Sequence, residues 1–186
     1  CNGCYACISI CPQKCIKIKD GIVSINAVID ESKCMQCHKC INVCAFKKDL
    51  LIRDNKMPLK SLIAFHNDEQ VRMLSRSGGV FVAISDLIIK KGGVVYGATI
   101  TSEFKVRHEC AETRLCRDAF CGSKYVQSDT VQTFKDIAGH LRGNRKVLFS
   151  GTGCQVAGLI SYLENNGFEN HENLLTMDIV CHGVMS

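Results

Sequence analysis

A chain of 186 residues that is 46% hydrophobic, 22% charged and 6% aromatic, with no Trp, has the composition of a folded globular protein of one or two domains. No apolar run approaches the ~18–20 residues of a spanning helix, and no basic-then-apolar leader opens the chain. Cysteine is the departure: there are 14, nine of them at or before Cys44. With nothing pointing to secretion, so dense a set of thiols is expected to hold metal rather than disulfides, in a cytoplasmic protein. The net charge of +5 lies at the same end, because residues 1–60 hold ten Lys/Arg against five Asp/Glu and residues 61–186 hold thirteen of each. Nucleic acid is a poor match for this basic end, which has only Tyr5 and Phe46 for stacking and no tight Lys/Arg run.

Residues 1–57 are expected to form the first domain. Cys1-x2-Cys4-x2-Cys7-x3-Cys11 recurs as Cys34-x2-Cys37-x2-Cys40-x3-Cys44, with every spacing the same. Zinc also uses Cys-x2-Cys pairs, but two copies at identical spacing match the two-cluster ferredoxin run, in which the fourth Cys of each copy serves the other cluster. Three closely spaced thiolates reach three corners of one cubane, and the fourth, on the following helix, points to its sister. The expected ligand sets are therefore Cys1, Cys4, Cys7 and Cys44 for one 4Fe–4S cluster, and Cys11, Cys34, Cys37 and Cys40 for the other. Two such clusters would add about −4 of charge, which the local Lys and Arg offset. Pro12 follows Cys11 as the pattern expects, and Ala45 replaces the second Pro. Cys15 lies outside the pattern and reads as a small buried residue, His38 as an exposed loop side chain. Between the repeats, Ile16–Ile29 reads as a hairpin around Asp20-Gly21.

No further cysteine follows Cys44 until Cys110, and residues 58–74, beginning with Pro58, are expected to be a linker. From residue 75 the periodicity alternates. It predicts a helix over Gly78–Lys91, stopped by Gly92-Gly93 and with Lys90-Lys91 at its negative end, then a strand over Val94–Ile100 that Lys105–Cys110 can pair with. A helix over Val131–Leu141, a strand over Lys146–Ser150, a helix from Cys154 to Asn166 and a strand over Leu174–Val180 follow. The fold class expected is α+β: a dicluster ferredoxin-like domain followed by an incomplete α/β domain over residues 75–186. The chain reads as a fragment, because it begins on a ligand and ends just past a strand.

Three segments read as site loops. Ser75–Gly79 precedes a helix, where free N–H groups and Arg76 suit a phosphate; a plain Ser77 N-cap explains it equally well. Gly151–Cys154 puts a thiol at the positive end of a helix, which acidifies it, although a small buried residue is the simpler explanation. Cys181-His182-Gly183 lies just past a strand end, where open α/β sheets place their sites. Cys110, Cys116 and Cys121 match no cluster spacing and read as structural thiols, and His66, His108, His140 and His171 as surface or satisfied residues.

Taken together, Ser75-Arg-Ser-Gly-Gly-Val-Phe81, Gly122-Ser-Lys-Tyr-Val-Gln-Ser128, Leu148-Phe-Ser-Gly-Thr-Gly-Cys-Gln155 and Asp178-Ile-Val-Cys-His-Gly183, behind a ferredoxin module, resemble the coenzyme F420 hydrogenase/dehydrogenase beta-subunit family. The likeness is to its bacterial branch, often associated with polysaccharide gene clusters, and covers nearly the whole chain. It implies a flavin, usually FAD, lined by Ser77, Gly78, Gly79, Gly122, Ser123, Lys124 and Tyr125. It places Cys154 and Cys181 near that site, as candidate catalytic residues or as ligands of a third 4Fe–4S cluster completed outside this segment. The chain departs from the family at Gly153, usually Pro, at Met185, commonly Pro, and at Cys121, usually Arg, where a fixed charge suited to a flavin phosphate is lost and Lys124 is a poorer bidentate partner.

The expected function is an iron–sulfur flavoprotein oxidoreductase that exchanges electrons with a redox partner protein or carrier and acts on a deazaflavin or another organic small molecule. A non-catalytic electron-transfer subunit of a larger redox complex is the alternative. A third possibility keeps the clusters structural and gives the α/β part to carbohydrate or nucleotide binding.

Overall fold

The computed structural model describes residues 1–21, 25–47, 60–168 and 172–183. The amino-terminal part contains α1 (Ala6–Ile10), the antiparallel strands β1 (Ile16–Asp20) and β2 (Ile25–Ile29), and α2 (Lys39–Asn42). Registration runs from Ile16 opposite Ile29 to Asp20 opposite Ile25, so the hairpin spans the expected residues, but Asp20 ends β1 instead of forming the turn. Its tip, residues 22–24, lies outside the described residues, as do Pro58 and His171.

The second part is built on α3 (Glu69–Ser75), α4 (Val80–Lys90), β3 (Val94–Ile100), β4 (Val106–Ala111), α5 (Arg114–Asp118), α6 (Thr133–Arg142), β5 (Val147–Thr152), α7 (Gly153–Glu164) and β6 (Leu174–Ile179). The strands form one mixed sheet in the order β4-β3-β5-β6, in which β4 is antiparallel to β3 and the other pairs are parallel. Both faces of the central strands are covered, as parallel pairing requires. Val94, Tyr96, Val147 and Phe149 point into a core with Phe134, Ile137 and Leu141 of α6 and Leu159, Tyr162 and Leu163 of α7. The alternating residues Val95 and Leu148 are equally buried on the opposite face, which α4 covers.

Several boundaries differ from expectation for identifiable reasons. Helix α4 starts at Val80 rather than Gly78, because Gly79 caps it at φ 75° while the Gly78 carbonyl accepts from the His66 N–H at 2.6 Å. The N-cap is thus Gly79 and not Ser77. Strand β5 continues to Thr152 because Gly151 and Thr152 pair with Asp178 and Ile179 of β6. Two short helices were not anticipated. In α3, within the expected linker, Asp68 accepts from the Gln70 N–H at 2.8 Å; in α5, Thr113 accepts from the Cys116 N–H at 3.3 Å. Each carries an N-cap signal in sequence but too few apolar residues for a periodicity.

Helix α5 is tied to α4 through Arg117, a buried guanidinium that donates to the Val82 carbonyl at 3.0 Å and to the Ser85 hydroxyl, and pairs with Asp86 at 2.9 Å. Removing it leaves Asp86 with Arg114 alone and the Val82 carbonyl with Ser85 alone, and breaking a buried pair from one side is costly. Arg117→Ala should lower the unfolding free energy by about 3 kcal/mol, read by anaerobic urea titration.

Candidate functional site

The sequence repeat is also a backbone repeat. Gly3 and Tyr5 lie in the left-handed region at φ 66° and 59°, and their equivalents in the second motif, Gln36 and His38, lie there at 54° and 57°. Each such residue adjoins a cysteine of the motif, so the backbone turns sharply at corresponding places in both loops. Only Gly3 takes this conformation without cost. Tyr5, Gln36 and His38 each carry ~1 kcal/mol or more of strain, concentrated where the cysteines are. His38, exposed as expected, contributes its backbone.

Five thiols share one recess. Cys11, Cys15, Cys34, Cys37 and Cys40 line a recess that opens to solvent, walled also by Pro12, Ile16, Ile29 and Met35. The fourth cysteine of the first repeat thus stands with the first three of the second. In the other set, Cys4 lies within electrostatic reach of Cys44, and Cys7 of Cys4 and Cys44, while Cys1 is exposed. Burial pushes the Cys4 thiol up and the Cys7 thiol up to about 11, so these sulfurs ionise only against a cation. Among the described residues, no group of three or more His, Cys, Asp or Glu converges as a single metal ion requires.

The first loop is seated on the second domain. Ala6 and Val43 are part of the sheet's own core, and Cys4, Cys7 and Ile10 pack against it. Gln127 donates to the Gly3 carbonyl at 2.6 Å, Thr130 to the Cys4 carbonyl at 2.9 Å and Ser9 to the Val131 carbonyl at 2.8 Å. On α7, Gly158 makes room for the loop: a Cβ there would stand 2.9 Å from the Cys4 sulfur. Sequence reasoning missed Gly158, which looks like an ordinary helical glycine until its neighbour is known.

Cys154 opens α7 beside this loop. Its sulfur is 3.1 Å from the Thr152 hydroxyl and 3.9 Å from the Asn2 carbonyl, and it is within electrostatic reach of Cys4. A buried hydrogen-bond chain holds this turn. His108 donates through Nε2 to the Ser150 carbonyl at 2.9 Å, and its Nδ1 accepts from Ser128 at 3.1 Å. Ser128 accepts in turn from Gln155 at 2.7 Å, and the Gln155 carbonyl accepts from the Thr152 N–H at 3.0 Å. This pattern needs neutral His108, and burial lowers its pKa to about 4. Cys181 is exposed past the end of β6, the neighbour of β5, with the Gly183 N–H donating to its sulfur at 3.3 Å.

The two glycine-containing segments meet. A Cβ on Gly122 would lie 4.0 Å from Arg76 Cδ, and the Cys121 thiol adjoins the Ser75 hydroxyl. Gly78 and Gly79 are filled rather than open, since a Cβ on either would stand 2.9 Å from Ala64 or His66. Lys124 donates to the Ala119 and Cys121 carbonyls, both at 3.0 Å, and closes its own loop. Ser77, Ser123 and Tyr125 are exposed. Cys110 and Cys116 are exposed, and Cys121 is half-buried.

Residues 1–48 match the family model of the 4Fe-4S dicluster domain. This amino-terminal part is therefore an iron–sulfur electron-transfer domain. Among solved structures, the chain is similar to one from a study of xenon derivatization of the F420-reducing [NiFe] hydrogenase complex from Methanosarcina barkeri, with a TM-score of 0.53 and 16% identity. The match covers 68% of this chain and 47% of that one, so the chain spans less than half of its neighbour, and the likeness is one of fold. No curated protein matches the chain. Among the described residues no helix is long and apolar enough to cross a membrane.

Two outcomes are expected. Gly158→Val should displace Cys4 and remove one cluster of the dicluster domain, lowering iron from about eight to about four per chain by colorimetric assay, with far-UV dichroism retained. Below pH 6.5 the unfolded chain protonates His108 while the folded chain keeps it neutral down to about 4, so stability falls on acidification. Between pH 7 and 5 this loss should be about 2 kcal/mol larger for the wild type than for His108→Gln in anaerobic urea titrations.

Proposed function

We propose that the chain is part of an iron–sulfur flavoprotein oxidoreductase. Cys1, Cys4, Cys7 and Cys44 hold an inner cluster, and Cys11, Cys34, Cys37 and Cys40 an outer one. The observation that carries the reading is the seating of the Cys4 loop on α7: a shared core and three side chain-to-carbonyl hydrogen bonds set the inner set of thiols against the α/β domain. The outer recess opens to solvent, with Cys37 exposed, and suits exchange with a redox partner or carrier. A ferredoxin module that only accompanied a second domain would not need its ligand loop buried there.

The second domain is read as the flavin side. Beside Cys121, the Arg76 side chain comes next to Gly122 from the adjoining loop and offers a cation to a bound phosphate. Ser77, Ser123 and Tyr125 are free to face a ligand, whereas Lys124 acts by holding its loop closed. A flavin bound there would exchange single electrons with the clusters and pairs of electrons with an organic substrate, a deazaflavin among the candidates. The neighbour's place in an F420-reducing hydrogenase complex supports redox partners of the same kind. Cys154, at the positive end of α7 and beside Cys4, is the residue best placed to act between the two domains, with Cys181 on the adjoining strand end.

One observation favours the second reading, an electron-transfer subunit without a flavin: Gly78 and Gly79 are occupied by residues 64 and 66 and leave no cradle of their own. Iron, sulfide and flavin content of the full-length protein, prepared anaerobically, decides between them. About eight iron with one flavin is expected. Eight iron and no flavin would establish the relay, about twelve would add a cluster at Cys154 and Cys181, and zinc in place of iron would overturn both readings.

A further inference from the structure

The outer recess contains one more cysteine than a cubane uses. Cys15 is 2% exposed, and its sulfur lies 3.5 Å from that of Cys11. The approach is built by the backbone. Pro12 fixes φ after Cys11, the Lys14 N–H closes on the Cys11 carbonyl at 3.2 Å, and Lys14 takes the left-handed region at φ 50°, turning the chain back on itself. Cys15 is then anchored at the base of the hairpin, where its carbonyl accepts from the Asp30 N–H at 2.7 Å. A lysine held at positive φ is strained, so this geometry is maintained by its surroundings.

We propose that Cys15 is the hydrogen-bond donor that sets the potential of the outer cluster, giving its S–H to the sulfur of Cys11; the inference rests on the ligand assignment proposed above. Cys11 holds the fourth position of its motif and Cys15 none, so Cys15 remains a thiol, and a free thiol is protonated at neutral pH. Once Cys11 bonds iron it has no proton to give and can only accept. A hydrogen bond to a ligand sulfur draws charge from the cluster, favours the reduced state, which carries one more electron, and raises the potential. The second motif has no equivalent thiol: the position that follows Cys44 as Cys15 follows Cys11 is Lys48. Through this thiol, two clusters on near-identical motifs acquire unequal potentials.

The test is an anaerobic redox titration of the full chain followed by EPR, comparing wild type, Cys15→Val and Cys15→Ser. Val fills the volume without a donor, and Ser restores a donor. Cys15→Val should keep about eight iron, with one reduction step moved to a more negative potential and the other unmoved, and Cys15→Ser should recover part of the shift. After exchange into D2O, the reduced outer cluster should show an exchangeable proton coupling by ENDOR in the wild type that Cys15→Val lacks, which a purely structural role would not alter. Unmoved potentials at full iron content would overturn the proposal. Loss of about four iron in Cys15→Val would overturn it too, by making Cys15 a ligand. Cys34→Ala tests the ligand assignment separately: it should abolish one cluster, and persistence of both signals would refute the assignment and the proposal with it.

Discussion

The structure depends on bringing two cysteine motifs, well separated in sequence, to one place. The hairpin β1–β2 does this. With Ile16 opposite Ile29, the end of the first cysteine motif and the start of the second leave the hairpin base side by side, and Cys11 and Cys15 face Cys34 across one recess. A one-position slip in this register would turn the side chains of one strand to the other face and shift one motif against the other. The iron–sulfur domain is too small to bury much apolar surface, so its shape rests on this pairing, on the metal groups it takes up and on its neighbour.

The neighbour is α7. Ala6, Val43, Cys4 and Cys7 share a core with Phe134, Leu159 and Tyr162, so the two parts have no separate interiors at this contact. The hydrogen bonds from Gln127, Thr130 and Ser9 all end on backbone carbonyls, two of them in the first motif and one where Val131 meets it. They fix the path of the ligand loop rather than any one side chain. In the proposed function this rigidity matters, because electron transfer between centres requires a constant separation and gains nothing from mobility.

The turn between β5 and α7 joins three demands. Its N–H groups begin a helix and give Cys154 a positive setting, its strand pairs with β6, and its backbone is held by Gln155, Ser128 and neutral His108. His108 also stacks on Phe149, with ring centroids 5.1 Å apart, so the polar chain is continuous with the apolar core. Glycine at 153 is thereby less free than it looks, because both sides of the turn are fixed.

Much of this was legible in the residues. The cysteine spacing marked the dicluster domain, and the apolar periodicities of Val94–Ile100, Leu174–Val180 and the helices around Phe81, Phe134 and Leu159 marked the α/β sheet, since burial on one or two faces imposes a period that sequence displays. Short helices such as Glu69–Ser75, with no buried residue, display none. What only the tertiary structure decided is which groups meet. Gly158 is unremarkable until Cys4 lies on it, His108 is one of several unpartnered histidines until Ser128 and Ser150 enclose it, and Arg76 belongs to a cap until Gly122 comes beside it. Spacing along the chain is set by local geometry and is therefore written in sequence. Proximity between distant segments is set by how whole elements pack, and no single stretch of residues carries it.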